Sequence, residues 1–236
     1  MNPVNGRRIT HFLGAVVVTI WAGLLSMPMP SASAQPCPDV EVMFARGTGE
    51  APGVGGIGQP FVDSLRWHVL PRSVGVYAVN YPASSDFGNR IAFTGNVVDG
   101  VRDARTRLEF MAAHCPNTRM VLGGYSQGAA VAGFVTSGEV PEGVPAEAVP
   151  APMPPELADH VAAVVLFGKP SGQFMQKYGA PLIAIGPLYA GKTIDLCALD
   201  DAICSNAPGW LPNIAHSLYP VNGMTNEAAA FAASRL

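Results

Sequence analysis

The run Gly124-Tyr125-Ser126-Gln127-Gly128 constrains this chain more than any other stretch. Before it, Thr118-Arg119-Met120-Val121-Leu122 reads as a short buried strand. After it, Ala129-Ala130-Val131-Ala132-Gly133-Phe134-Val135 reads as the start of a helix, with small residues nearest the turn. Gly-x-Ser-x-Gly between a strand and a helix places the serine on a sharp, strained bend with its hydroxyl pushed out above a sheet. The flanking glycines leave room for that bend. The helix behind it offers unbonded N–H groups and a partial positive charge to a developing oxyanion. A glycine-rich turn that merely happens to hold a serine needs neither flank, so Ser126 is the candidate nucleophile.

Such a turn needs a parallel sheet, and the chain supplies one. Residues 40–45 read as a first core strand, followed by Arg46-Gly47-Thr48-Gly49-Glu50 and a glycine-rich loop to Gly58. Pro60 is expected to open a helix through Leu70, with Phe61, Val62, Leu65 and Val69 on one face. Residues 73–79 read as a second strand. Val97, Val101, Ala104, Leu108 and Met111 then recur at helical spacing up to about His114. Residues 161–167 form an unbroken apolar run, as expected of a strand covered on both faces. Residues 192–196 are a candidate last strand and 225–236 a closing helix. Strands alternating with helices imply a doubly wound α/β fold with a parallel sheet. The proline-rich stretch 138–155 reads as an irregular surface excursion, either an exposed loop or a lid.

A serine hydroxyl needs a base. His160 and His216 are the histidines after Ser126. His160 precedes the 161–167 strand, at the wrong end of a sheet whose chemistry gathers at the strands' carboxyl ends. His216 lies late in the chain, where the base of such a serine belongs. The acid that orients the imidazole is sought among Asp195, Asp200 and Asp201 near the last strand, with Glu227 as a rival beyond the histidine. Residue chemistry does not separate these acids. Oxyanion donors are expected from the backbone N–H of Gln127 and, from the loop after the first strand, that of Thr48. Arg46 is expected to tie that loop down through a salt bridge.

Residues 1–34 carry Arg7 and Arg8, then an uncharged apolar run, then Ala32-Ser33-Ala34. That is the pattern of a signal peptide cleaved after Ala34, leaving a domain over 35–236. A twin-arginine signal is matched only weakly, and an uncleaved anchor is disfavoured because the run is short for a bilayer. Cleavage moves the net charge from −3 to −5, which argues against a nucleic-acid partner. Cys37, Cys115, Cys197 and Cys204 are even in number in an exported chain and imply two disulfides. Cys197 and Cys204 are close enough to close a small loop, leaving Cys37 with Cys115. Loop entropy then gives about 2.5 kcal/mol for the short loop and about 4.5 kcal/mol for the long one. With no Cys-x-x-Cys, a zinc or redox site is not expected.

Taken together, Gly-Tyr-Ser-Gln-Gly at 124–128, Arg-Gly-Thr-Gly-Glu at 46–50, Cys-x6-Cys at 197–204 and His216-Ser217-Leu218-Tyr219 resemble the cutinase family, specifically its secreted actinobacterial members. The resemblance covers 37–236. It implies a compact α/β-hydrolase fold with a central parallel sheet flanked by helices. It implies Asp201 as the acid, three residues before the last cysteine, together with Ser126 and His216. It also implies the same disulfide pairing and an oxyanion hole at Thr48 and Gln127. It implies a small secreted or cell-wall-associated serine esterase acting on ester or lipid substrates. Neither cofactor nor metal is expected, and a monomer in transient contact with a lipid interface is. Asp200 stands where glycine is common in the family, so a second carboxylate could compete for His216.

Gly186 to Thr193 matches the phosphate-loop pattern by letter. It leads into a strand rather than a helix, so no nucleotide is expected. Trp210, Leu211 and Ile214, with Ile183, Ile185, Leu188 and Tyr189, are candidates for an acyl-chain groove, although the isoleucines suit core packing equally well. The same acyl-enzyme would serve an acyltransferase or a phospholipase A. A decayed binding protein would keep the fold without the reactive serine.

Overall fold

The computed structural model describes residues 36–236 other than 87–88, 206 and 210. The expectations placed on 1–34 and on Trp210 therefore lie outside the described residues.

Five parallel strands make the sheet: β1 (Val40–Ala45), β2 (Val74–Ala78), β3 (Arg119–Tyr125), β4 (Val161–Phe167) and β5 (Thr193–Leu196), in the order β2-β1-β3-β4-β5. The helices are α1 (Gly55–His68), α2 (Arg90–His114), α3 (Gln127–Val135), α4 (Pro155–Ala158), α5 (Gly172–Lys177), α6 (Pro187–Ala190) and α7 (Met224–Ala233). Strand alternation sorts the core into two faces. Val42 and Phe44, Val121, and Val165 and Phe167 face a layer containing Phe61 and Leu65 of α1 and Ala228 and Ala232 of α7. Met43 and Ala45, Leu122, and Val164 and Leu166 face Leu108 of α2 and Val131 and Val135 of α3. Phe44, Phe61 and Phe167 meet with ring centroids 5.9–6.2 Å apart, each such pair adding about 0.5–1.5 kcal/mol beyond burial. β1 and β4 are buried at every residue, which is why β4 reads as a continuous apolar run, while the edge strand β2 is only half-buried.

The order of the strands positions the site. From β1 the chain goes outward to β2 on one side, then returns to build β3, β4 and β5 on the other. The switch falls between β1 and β3, and open parallel sheets bind ligands at the carboxyl ends of strands beside such a switch. Ala45 at the end of β1 pairs with Gly124. The loop at 46–50 and the Ser126 turn are thereby neighbours.

One boundary differs from the sequence reading. Helix α1 begins at Gly55, and Pro60 lies inside it rather than opening it. Glycine disfavours helix by about 1 kcal/mol per residue, so Gly55, Gly56 and Gly58 read as loop. Tertiary structure supplies what propensity lacks: the Glu50 carboxylate accepts the Gly56 N–H at 2.7 Å at the start of the helix. The 138–155 excursion is irregular as expected, apart from a single 3-10 turn at Ala146–Ala148. The Gly186–Thr193 stretch forms short α6 and then β5, so the phosphate-loop geometry is absent there.

Candidate active site

Ser126 lies between the end of β3 and the start of α3, with φ 55° and ψ −117°. That is a strained conformation for a residue bearing a side chain, of a kind that persists only where the surroundings enforce it. The Ser126 N–H donates to Phe167 O at 2.9 Å. The flanking glycines are required sterically. A Cβ on Gly124 would sit 2.1 Å from Gly128 O, and one on Gly128 would sit 2.0 Å from Ala45 O.

His216 lies on a 3-10 turn (Ile214–Ser217) whose cap is the Asn213 side chain, which accepts the His216 N–H. Its Nε2 is 2.8 Å from Ser126 Oγ and its Nδ1 is 2.8 Å from Asp201 Oδ2. An ionised carboxylate only accepts, so Nδ1 carries the proton and the neutral ring presents the Nε2 lone pair to the hydroxyl. Asp201 is fully buried in the loop closed by the Cys197–Cys204 disulfide; the second disulfide joins Cys37 to Cys115. Burial pushes the Asp201 carboxyl up. Hydrogen bonds from His216, Tyr219 and the Ile203 N–H outweigh that and hold it below the ordinary carboxylate value.

The other candidates lie elsewhere. Asp195 is exposed and paired with Lys169 at 3.2 Å. Asp200 is exposed with φ 63°, while its buried neighbour Asp201 faces His216, so burial separates the two carboxylates and Asp200 does not compete. Glu227 is exposed on α7, and His160 precedes β4 at its amino end. Cys197, Asp201 and Cys204 lie close enough together to suggest a metal cluster. Both sulfurs are in the disulfide and the carboxylate is already bonded to three donors, so the trio offers no free ligand set.

Two tyrosines that sequence reasoning assigned no role complete the surroundings. The Tyr219 hydroxyl donates to Asp201 Oδ2 at 2.6 Å and accepts the Ala198 N–H at 3.2 Å. The Tyr125 hydroxyl donates to His216 O at 2.8 Å, and its ring lies 4.9 Å from the imidazole. The only signal for Tyr219 was its place three residues after His216.

Thr48 is half-buried and borders the same pocket as Ser126, Gln127 and His216. Its loop is pinned on both sides. The Gly47 N–H donates to Glu50 Oε2 at 2.5 Å and the Gly49 N–H to Ala83 O at 2.7 Å. Arg46 does not make the expected salt bridge. It is buried, and its guanidinium donates to the carbonyls of Glu50, Tyr81 and Pro82 at 2.6–3.2 Å. Gln127 stands at the first helical position of α3, where backbone N–H groups have no acceptor within the helix. Its side-chain amide is buried without a protein partner.

The pocket at Ser126 has a volume of about 770 Å³. Leu211 lies on its wall, but the 183–189 residues expected to form a groove do not line it. Ile183 packs over Gly133, Ile185 and Tyr189 join the core, and Leu188 is exposed. That segment runs past the far end of α3, where the Gly186 N–H donates to Thr136 O at 2.8 Å. The pocket opens instead between α2, the 139–153 excursion and α5.

Comparison with known proteins agrees with this geometry. A Mycobacterium tuberculosis protein named "Probable carboxylesterase Culp7" is 62% identical over 167 residues, spanning 70% of this chain and 86% of its own. "Carboxylesterase Culp1" of Mycobacterium bovis is 47% identical over 98% of this chain and 97% of its own. The solved structure of a Trichoderma reesei cutinase in complex with a phosphonate inhibitor is 30% identical, with a TM-score of 0.61 over 84% of this chain and 77% of that one. The sequence profile of the family described as Cutinase matches residues 36–236, and the chain therefore belongs to the cutinase family.

Proposed function

We propose that in this serine carboxylic ester hydrolase Ser126 is the nucleophile, His216 the proton carrier, Asp201 the orienting acid, and the N–H groups of Thr48 and Gln127 the oxyanion donors. The observation that carries the assignment is the unbroken line Ser126 Oγ–His216–Asp201, with both links at 2.8 Å. His216 Nε2 takes the hydroxyl proton as Oγ attacks the ester carbonyl carbon. The carbonyl π electrons move to oxygen, where the loop and helix N–H groups meet the negative charge. Collapse of this adduct breaks the ester C–O bond, and His216 gives its proton to the departing alkoxide. Water then attacks the acyl-serine by the same route in reverse, releasing the acid and restoring Ser126. Asp201 stays ionised throughout and stabilises the imidazolium.

The test is hydrolysis of p-nitrophenyl butanoate together with labelling by a fluorophosphonate. Wild type should hydrolyse and label. Ser126→Ala should lose label and at least about 10⁴-fold in kcat. Retained label in Ser126→Ala would refute the assignment. Product analysis with an added alcohol separates hydrolysis from acyl transfer.

Residues 1–34 act in this reading as an export signal, and the protein is secreted or held at the cell wall. Two disulfides support an oxidising destination. Each proposed catalytic group comes from one chain, so a monomer suffices. The exposed Leu199, Leu211 and Ile214 lie in the loop and turn segments that carry Asp201 and His216, where they would touch a lipid surface.

A further inference from the structure

We propose that the proline-rich segment 139–153 is a fixed roof that closes the Ser126 pocket into a compartment for one long hydrocarbon chain, making long-chain fatty acyl esters the substrates. The inference rests on the Ser126 reading above, and it concerns a segment that the sequence left open between loop and lid.

The juxtaposition is specific. The pocket starts at Ser126 and continues between α2 and α3 under this segment. Its α2 wall is the stripe Phe93, Val97, Val101 and Arg105, one residue every four. The roof turns apolar residues toward it: Val140, Val144, Val149 and Met153 are half-buried and line the pocket, the exposed Glu142 also borders it, and the exposed Glu147 and Ala148 are not among its lining residues.

The roof is clamped. Arg102 donates to Ala148 O at 3.3 Å and Arg105 donates to Ala151 O, so two guanidinium groups one turn apart on α2 hold the segment's backbone. Ser137 Oγ donates to Glu139 O at 2.7 Å at its near end. Pro141, Pro145, Pro150 and Pro152 reduce the conformational freedom lost when the segment is ordered. These are features of a wall that stays in place.

The chemistry of the walls selects the occupant. Away from Ser126, the polar side chains on the walls are already engaged or turned out. Arg105 is taken by Glu109 and Ala151, Ser137 by Glu139 O, and Thr94, Glu139 and Glu142 border the pocket as exposed residues with access to water. A sugar or headgroup pushed into this compartment would lose its water without gaining partners, a steep cost. A hydrocarbon chain loses nothing. Phe93 and Arg105 are twelve residues apart on one helix, about 18 Å by helical rise. A C–C bond of about 1.5 Å advances an extended zigzag chain by roughly 1.25 Å, so that length takes about fourteen bonds.

The experiment measures kcat/KM for p-nitrophenyl esters from butanoate to octadecanoate, kept below their aggregation threshold, with wild type, Ser126→Ala and Val144→Asp. For wild type, kcat/KM should climb with chain length by up to about fourfold per methylene and level off near tetradecanoate. Val144→Asp changes a roof residue outside the sheet core and should lower the hexadecanoate-to-butanoate ratio about tenfold or more. A second readout needs no chemistry: in Ser126→Ala, tetradecanoate should displace bound cis-parinaric acid at least about tenfold more strongly than octanoate, and adding Val144→Asp should erase the difference. A wild-type preference that falls steadily beyond butanoate, or a ratio unmoved in a folded Val144→Asp protein, overturns the compartment. Retained hydrolysis by Ser126→Ala would instead overturn the nucleophile assignment, leaving chain displacement to report separately on the pocket.

Discussion

Tyr219→Phe isolates one hydroxyl beneath the proposed catalytic acid. The hydroxyl donates to Asp201 Oδ2, the same oxygen that binds His216 Nδ1, and the ring is fully buried. Phenylalanine preserves the ring, with its contacts to Phe167 and Tyr125. A hydrogen bond to a charged group contributes about 1.5–3 kcal/mol, so a loss of about 2 kcal/mol is expected at neutral pH. For a domain of this size that lowers Tm by about 4–8 °C. The sign of the pH dependence follows from the donor. Burial and then the Asp201 carboxylate push the Tyr219 phenol far above its ordinary range, so it remains a donor through neutral and alkaline pH. Donation favours the ionised form of Asp201, whose folded value lies below its ordinary one. The contribution is therefore present above an unfolded pKa of about 3.9 and is lost as pH falls through the lower folded value. Urea unfolding with disulfides intact, at about pH 7 and about pH 3, should show a larger difference between wild type and variant at the first than at the second. A difference of equal size at both would mean that Tyr219 acts by packing alone. Activity gives an independent readout. A carboxylate relieved of one donor binds a protonated imidazole more strongly, so the acid limb of kcat/KM should move to higher pH in Tyr219→Phe.

Variants at two further positions address the loop and the turn. Glu50→Ala removes the acceptor for both the Gly47 and Gly56 N–H groups, so kcat on butanoate should fall about 10- to 100-fold with KM little changed. Glu50→Gln, which keeps one acceptor oxygen, should recover part of it, and a change confined to KM would exclude a positioning role. Gly128→Ala puts a methyl 2.0 Å from the Ala45 carbonyl; a melting temperature within a degree of wild type would show that the turn is looser than its contacts imply.

Much of the site was legible because its chemistry is local. A serine at φ 55° with backbone crowding on both sides admits little but glycine at 124 and 128, and that pattern is visible in five letters. Strand β4 was readable because a strand covered on both faces has no polar position to interrupt it, and β1 departs from that only at Glu41, which is buried in a pair with Arg107. Helix α1 was misread at its start because its first turn depends on Glu50, a carboxylate outside the helix, while propensity at Gly55 and Gly56 points the other way. The acyl groove was sought at 183–189 because those residues precede the strand nearest the acid. Chain proximity to β5 says nothing about which end of the sheet a loop returns to.

The sequence alone determined that this is a parallel α/β protein carrying a serine on a strand-to-helix turn, a late histidine and paired cysteines, since each follows from residue type and spacing. It narrowed the acid to three neighbouring aspartates with Glu227 as a rival, and family resemblance alone pointed to Asp201. Burial is what separates them in the proposed reading: Asp201 is shut inside the disulfide loop against Tyr219, and Asp200 is exposed on a left-handed backbone. Tertiary structure likewise decided that the loop after β1 stands beside Ser126, because strand order is set by packing between segments far apart in the chain. It also decided that residues 139–153 border the pocket, because side chains 46 residues upstream, on α2, hold that segment's carbonyls.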